Sequence, residues 1–349
     1  MDKEIRLPRT LKTGDTVAVV SPSAPGVARW PHRTERGRQY LESLGLRVKF
    51  MPHSQENHGL VSAPAQHRAA DIMEAFEDDS VSAIIAAIGG NYSREVLPHL
   101  DFNLIADHPK IFQGYSDATT LLWAIWKHTR MITLYGPALL TNLAEYPKPL
   151  TFTDFWLRTF WFASGPIHFQ PADTWTDEFL NFDTKDDLKR PRHQYDNGKW
   201  VDLRPGQAEG RILAGCLETI AHDILDDAHC PDFAGTILAV ELSDESPSIP
   251  SVEASLEKLN HAKGFAQIQG LLVGRPARYS AADRNELWDR VRALAAAYDI
   301  PALGNLDFGH SDPFCPLPIG TRVQLSVGGP RGSMLQSVES ATWNGIKEG

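Results

Sequence analysis

Short apolar runs alternate with amphipathic stretches along most of the chain. Thr16 to Ser21 is a β-branched run that breaks at Ser-Pro-Ser-Ala-Pro-Gly, which predicts a strand followed by a loop. His32 to Leu44 has helical spacing, and Leu46 to Met51 reads as a second strand. Within Ala63 to Phe76, residues Ala65, Ala69, Ile72, Met73 and Phe76 fall on one helix face. Val81 to Ile88 is almost continuously apolar and stops at Gly89-Gly90, the pattern of a strand covered on both faces in a parallel sheet. Lys110 to Gly114 is another short strand, and Asp117 to His128 a helix that turns Leu121, Leu122 and Ile125 inward. Strands and helices in this alternation predict a doubly wound α/β domain.

The pattern fails from about Phe169 to Gly206, where polar residues, prolines and the tryptophans Trp175 and Trp200 replace the apolar period. A connection of this length within a compact protein is usually functional. A second α/β unit follows. Arg211 to Ile224 is expected as a helix, Thr236 to Leu242 as a strand and Val252 to Lys263 as a helix. Ile268 to Val273 is expected as a strand, Ala281 to Tyr298 as a long helix and Ala302 to Leu306 as a short strand. The alternation in Thr321 to Val327 suggests an edge strand. The expected division is therefore an N-terminal domain over 1–165, a linker over 166–206 and a C-terminal domain over 207–349.

A length of 349 residues suits two domains, and 42% apolar with 22% charged residues is the composition of a globular protein. The formal charge of -10, without a cluster of Lys and Arg, argues against a nucleic-acid partner. Three widely spaced cysteines form no CxxC pair, which argues against a disulfide framework or a thiolate zinc site. No apolar run approaches a membrane span, and the N-terminal residues do not resemble a secretory signal. These features point to the cytoplasm.

Three places set a reactive side chain at or just after the end of a short apolar strand. Ser116 lies in Gln113-Gly114-Tyr115-Ser116-Asp117-Ala118, between a strand and a helix. A serine at such a turn is presented like that of a nucleophile elbow, although Ala118 stands where the lipase pattern has glycine. Its plainer reading is a helix N-cap. Glu241 ends an apolar run, where a buried carboxylate needs a partner; alternatively it turns to water. His310 follows a strand through Gly309 into a proline-rich loop, and could equally be a surface histidine. Together they supply the hydroxyl, base and orienting carboxylate of serine hydrolysis. Gly89-Gly90-Asn91 ends the preceding strand, so the N–H groups of Gly90 and Asp117 are the expected oxyanion donors. A dinucleotide fingerprint fails there, because GGNYSR lacks the third glycine.

These motifs resemble those of the LD-carboxypeptidase and microcin C immunity family of serine peptidases. The likeness runs through LKTGDTVAVVSPSAP, IGGNYSREVLPHLD, HPKIFQGYSDATTLL, TLYGPAL, EGRILAGCLETI and GNLDFGHSDP. It implies Ser116 as nucleophile, Glu241 and His310 as its partners, and Gly90 with Asp117 as oxyanion hole. It also implies a Rossmann-like N-terminal domain, a swivelling β/α/β C-terminal domain, an active site between them, a homodimer, and no metal or cofactor.

One activity of that family trims a terminal D-amino acid from murein tetrapeptide; the other cleaves aminoacyl nucleotides of microcin C type. The resemblance is closer to the second, through GGNYS and a linker tryptophan, Trp175, at the position expected to stack on a nucleobase. Trp175 could instead anchor the linker. Gly89, Asn91 and Ser93 complete the expected contacts to a small-molecule substrate. Cys216 departs from the family pattern and reads as a buried structural thiol. A reading of another class is a non-catalytic protein cradling an anion at Gly89-Gly90 and the helix after Asp117.

Overall fold

The computed structural model of the chain describes residues 4–196 and 198–344. Its first five strands are β1 (Thr16–Val20), β2 (Arg47–Phe50), β3 (Val81–Ala86), β4 (Ile111–Gly114) and β5 (Thr133–Tyr135). They run parallel in the order β2-β1-β3-β4-β5. In β1 and β3 the residues facing either side of the sheet are buried, as the continuous apolar runs require. Helices Pro31–Ser43, Ala65–Glu77 and Thr119–Thr129 fill the crossovers. Chain order reverses between β1 and β3, so the loops after these strands splay apart and leave a crevice at the carboxyl edge of the sheet.

The linker is more structured than its composition suggests. It contributes β6 (His168–Phe169), β7 (Thr174–Trp175), β8 (Tyr195–Asp196) and β9 (Val201–Arg204), with β7 and β8 paired to each other. Its charged residues pin it down: Asp187 accepts from Arg33 at 2.8 Å and from Arg36, both on the helix Pro31–Ser43. Irregular backbone can stay ordered when buried ion pairs replace a regular ladder.

The second sheet is built on β10 (Gly206–Cys216), β11 (Thr236–Glu241), β12 (Gly270–Gly274) and β13 (Ala302–Leu306), which are mutually parallel. After β14 (Leu317–Ile319) come β15 (Arg322–Val327) and β16 (Met334–Ser337). Among the described residues the sheet order is β6-β16-β15-β10-β11-β12-β13-β9. Two expectations are corrected here. The first part of the run from Arg211 to Ile224, up to Cys216, is the end of strand β10 rather than helix, and the helical part is Leu217–Thr219 with the turn Ile220–Ile224 after it. A short apolar run cannot be told from a buried helix by period alone, and pairing with β11 and β15 on both sides decides it. Nor is β15 an edge strand, since it lies between β10 and β16. Its alternation marks one solvent-facing side of the sheet, not an unpaired border.

The two domains are tied across their boundary. The short strand β14, from the C-terminal half of the chain, pairs antiparallel with β5 and closes the first sheet. Trp123 donates its indole N–H to the carbonyl of Ala214 at 2.7 Å, and Cys216 donates its N–H to Thr119 Oγ1 at 3.1 Å. The helix after β4 therefore meets the end of β10.

Candidate active site

Ser116 follows the last residue pair of β4 with φ of 61°, a left-handed conformation that a non-glycine residue adopts at a cost of about 1–3 kcal/mol. The turn lifts its hydroxyl off the sheet before the helix Thr119–Thr129 begins. Gly89, from the loop after β3, packs against this turn: a Cβ there would lie 2.9 Å from Ser116 Cβ and 3.6 Å from the Asp117 nitrogen. Only glycine allows that approach, and it brings the Asp117 N–H beside the Gly89-Gly90 loop. The Asp117 side chain is buried and holds the same loop, accepting from the N–H groups of Tyr92 at 3.0 Å and Ser93 at 3.1 Å.

From the second domain, Glu241 ends β11 at 1% exposure, and His310 lies in the loop after β13. His310 Nδ1 is 2.8 Å from Glu241 Oε2, and His310 Nε2 is 3.1 Å from Ser116 Oγ. The His310 N–H also donates to Glu241 Oε2 at 3.1 Å. The other carboxylate oxygen accepts from the Tyr135 hydroxyl at 2.5 Å. Glu241 is thus neither a water-facing strand end nor unpartnered, and His310 is not a free surface residue. Ser116 makes no side-chain cap at the start of its helix.

Burial disfavours the charged imidazole of His310. The Glu241 charge and hydrogen bond, with Asp244 and Glu218 further off, outweigh that and push its pKa up to about 9. The loop carrying it is braced from behind by a buried ion pair, Arg275 with Asp307 at 2.7 Å. It is braced from the side by Asp312, which accepts from Asn142 at 2.7 Å and Arg192 at 2.7 Å. Arg192 also reaches Glu145 at 2.8 Å, and Thr176 exchanges backbone hydrogen bonds with Asp312. The linker thereby fastens the histidine loop to the first domain.

A cavity of about 720 Å³ opens over these groups, lined by Ser116, His310, Gly89, Gly90 and Asn91 among others. It sits at the reversal point between β1 and β3. Another wall carries the aromatic residues Trp30, Phe179 and Phe182, with the Arg33 guanidinium 3.8 Å above the Phe182 ring. A third carries Glu218, Asp223, Asp244 and Glu245. Burial, with the nearby Glu241 charge, raises the pKa of Glu218, which accepts from the Ser243 N–H at 3.2 Å. Cys216 also touches the cavity, but burial and the Glu241 and Glu218 charges push its thiol well above the usual range, leaving it unreactive.

Two of the expected substrate contacts are not brought to the cavity wall. Ser93 is fully buried behind Asp117. Trp175 packs on Tyr195 with a ring separation of 5.0 Å, and the guanidinium groups of Arg275 and Arg284 lie 5.3 and 5.6 Å from its ring centre. Sequence reasoning missed Tyr135, Glu218, Phe179 and Phe182. For the two phenylalanines the available signal was an aromatic pair in a polar linker; for Tyr135 and Glu218 local pattern held none. A separate cavity of about 910 Å³, lined by Trp126, Lys127, Arg211 and Asp232 among others, includes none of Ser116, Glu241 and His310.

Comparison with known proteins fits this arrangement. The LD-carboxypeptidase N-terminal domain matches residues 17–136, and the LD-carboxypeptidase C-terminal domain matches residues 209–325. The chain belongs to the LD-carboxypeptidase family. It is 30% identical to the probable murein peptide carboxypeptidase of Bacillus subtilis, over 91% of each chain. It is 28% identical to the microcin C7 self-immunity protein MccF of Escherichia coli, over 90% of this chain and 91% of that one. The structure of MccF in complex with aspartyl sulfamoyl adenosine superposes with a TM-score of 0.87 at 27% identity, over 97% of this chain and 99% of the other. As an LD-carboxypeptidase family member the chain is a serine hydrolase acting on peptide bonds, with two mixed α/β domains of the kind found in MccF. Among its described residues no helix is long and apolar enough to cross a membrane.

Proposed function

We propose that Ser116, His310 and Glu241 form the catalytic triad of a hydrolase that cleaves the acyl–amide bond of a small aminoacyl nucleotide of microcin C type. The observation that carries this reading is His310, whose two ring nitrogens reach Ser116 and Glu241 at once. Ser116 Oγ attacks the carbonyl carbon as His310 Nε2 takes its proton, and Glu241 holds the imidazole in the tautomer with Nδ1 protonated. The N–H groups of Gly90 and Asp117 receive the oxyanion, each contributing about 10²- to 10³-fold. His310 then protonates the leaving nitrogen, the amide bond breaks, and water activated by the same imidazole releases the acyl group from Ser116. In this scheme 1–165 brings the nucleophile and 207–349 the base and acid, while 166–206 forms the wall over the substrate.

The aromatic wall supports the nucleotide reading, since stacking one base on such a ring is worth about 1–3 kcal/mol. Trp30, Phe179 and Phe182 take that part here, and Trp175 serves as the anchor of the linker. A second reading is the release of a terminal D-amino acid from murein tetrapeptide. The 30% identity to the probable murein peptide carboxypeptidase favours it, while the acidic wall of Glu218, Asp223, Asp244 and Glu245 suits the free amino group that either substrate carries. The proposed setting is the cytoplasm and the proposed assembly a homodimer, which sedimentation reads directly.

A fluorophosphonate probe should label Ser116 in the native chain and leave Ser116→Ala unlabelled. Absence of labelling together with absence of turnover would leave the anion-binding alternative standing, whereas turnover by Ser116→Ala at the native rate would remove Ser116 as the nucleophile. Parallel incubation with aspartyl sulfamoyl adenosine and murein tetrapeptide then decides the substrate class.

A further inference from the structure

The loop between β2 and the helix Ala65–Glu77 gathers groups that the hydrolytic reading does not use. His53 and Glu56 sit on and just after the turn Pro52–Gln55, and His67 on the first turn of the helix. Their donor atoms all lie within 4.8 Å of one another. His53 Nδ1 is 2.6 Å from Glu56 Oε1, and the His53 and His67 rings stack with centres 4.3 Å apart. Two imidazoles and a carboxylate this close are a nitrogen-and-oxygen donor set of borderline hardness rather than a core contact, and the side chains of His53 and Glu56 are 29% and 37% exposed.

The surroundings are those of a ligating set. His58 Nε2 lies 2.8 Å from the second oxygen of Glu56, so the carboxylate is oriented by an outer histidine. Asp71, one helical turn beyond His67, accepts the backbone N–H of His53 at 3.2 Å. It fixes the turn against the helix face that His67 shares. Asp71 is met by the His53 backbone and not by its ring, so the ring contacts within the set are those of His53 with Glu56 and His67.

We propose that His53, Glu56 and His67 bind one zinc ion, with His58 as the residue that positions Glu56. Two imidazoles and a carboxylate are a common zinc donor set, and three protein ligands leave a fourth position for water. Zinc–nitrogen distances near 2.0–2.1 Å put tetrahedral donor atoms about 3.3 Å apart, so the widest separation closes by up to about 1.5 Å on binding while His53 Nδ1 and Glu56 Oε1 part slightly from 2.6 Å, which the rotamer freedom of the exposed His67 allows. The ion would close the loop from residue 53 to residue 67. That loop also braces the segment beside Gly90: Ser62 donates its N–H to the Ser23 carbonyl at 2.9 Å and its hydroxyl to the Ser21 carbonyl at 2.7 Å. The site is separate from the catalytic cavity, none of whose lining residues it includes.

Zinc is titrated into the metal-free full-length protein against a chromophoric chelator, and cobalt(II) is used as a spectroscopic probe. Expected are one zinc per chain, cobalt absorption bands of tetrahedral intensity, and a zinc-dependent rise in melting temperature. The double variant His53→Gln/His67→Gln should lose the stoichiometric site and the melting shift, and His58→Gln should weaken binding about 10- to 100-fold. These residues line the surface, and circular dichroism of each variant checks the fold; Glu56→Gln provides a second route to the same loss. No saturable zinc binding by the native chain overturns the proposal. So does one equivalent retained in the double variant, which would place the ion elsewhere, for example near His128 and His229.

Discussion

The hydroxyl of Tyr135 joins the turn of Ser116 to Glu241 of the other domain: it accepts the N–H of Ser116 at 3.1 Å and donates to Glu241 at 2.5 Å. One buried phenol on β5 therefore holds both the left-handed turn of Ser116 and the carboxylate facing His310. Burial, with the Glu241 charge next, raises its pKa well above the usual phenol range, which keeps it a donor at any working pH.

Tyr135→Phe should leave the fold intact but strip Glu241 Oε1 and the Ser116 N–H of a partner. A lost bond to a buried charged group costs about 1.5–3 kcal/mol, so kcat should fall roughly 10- to 100-fold with KM little changed. Steady-state kinetics check this, and native kcat in the variant would show that the phenol does not position the site.

The pH dependence follows from His310. Only the neutral imidazole can take the Ser116 proton, and its pKa lies at about 9 against about 6.5 for a free histidine. The rate kcat/KM should therefore climb with pH and level off only above about 9. Because the folded pKa is raised, the pair with Glu241 adds stability that is fully present below about 6.5 and is lost as pH rises through about 9. Glu241→Gln removes the charge that raises the pKa while burial still lowers it. The acid limb should move to lower pH as kcat drops about 10³- to 10⁴-fold from the lost tautomer control. An unmoved limb in rate profiles from pH 5 to about 10.5 contradicts the assignment.

Gly309 occupies φ of 105°, and a Cβ there would stand 2.6 Å from Glu241 Cγ and closer still to its carboxylate. Gly309→Ala must displace Glu241 or the histidine loop. Activity should fall by at least about 10²-fold while melting temperature changes far less, since misplacing a reacting group by about 1 Å has that effect. Native turnover in this variant would mean that the loop has slack the packing does not show.

Arg275→Leu leaves Asp307 as an unpaired buried carboxylate behind the same loop. Breaking such a pair typically costs about 3–5 kcal/mol, so chemical denaturation should show a loss of that size. Arg275→Leu/Asp307→Leu should recover part of it, whereas a double variant less stable than the single one would refute the pair as its cause.

Much of this protein was legible in the chain because it depends on local period. The parallel strands β1, β3 and β4 and the helices between them are written as apolar runs and three- and four-residue spacings, and Ser116 and His310 follow glycine-marked strand ends. Trp175 illustrates the limit. A lone aromatic in a polar linker reads equally as a stacking surface or an anchor, and its packing on Tyr195 came from a residue 20 positions away.

What the sequence by itself determined is the α/β alternation and the presence of two such units, with a short list of candidate reactive groups. Period and turn chemistry act within a few residues, so they can be read within a few residues. Tertiary structure alone decided that β10 is a strand, that β14 crosses to complete the first sheet, and that Tyr135 couples Ser116 to Glu241. These depend on pairing and hydrogen bonding between separate segments, 19 residues apart for Ser116 and Tyr135 and 106 for Tyr135 and Glu241, whose free energy exists only once the chain has brought them together.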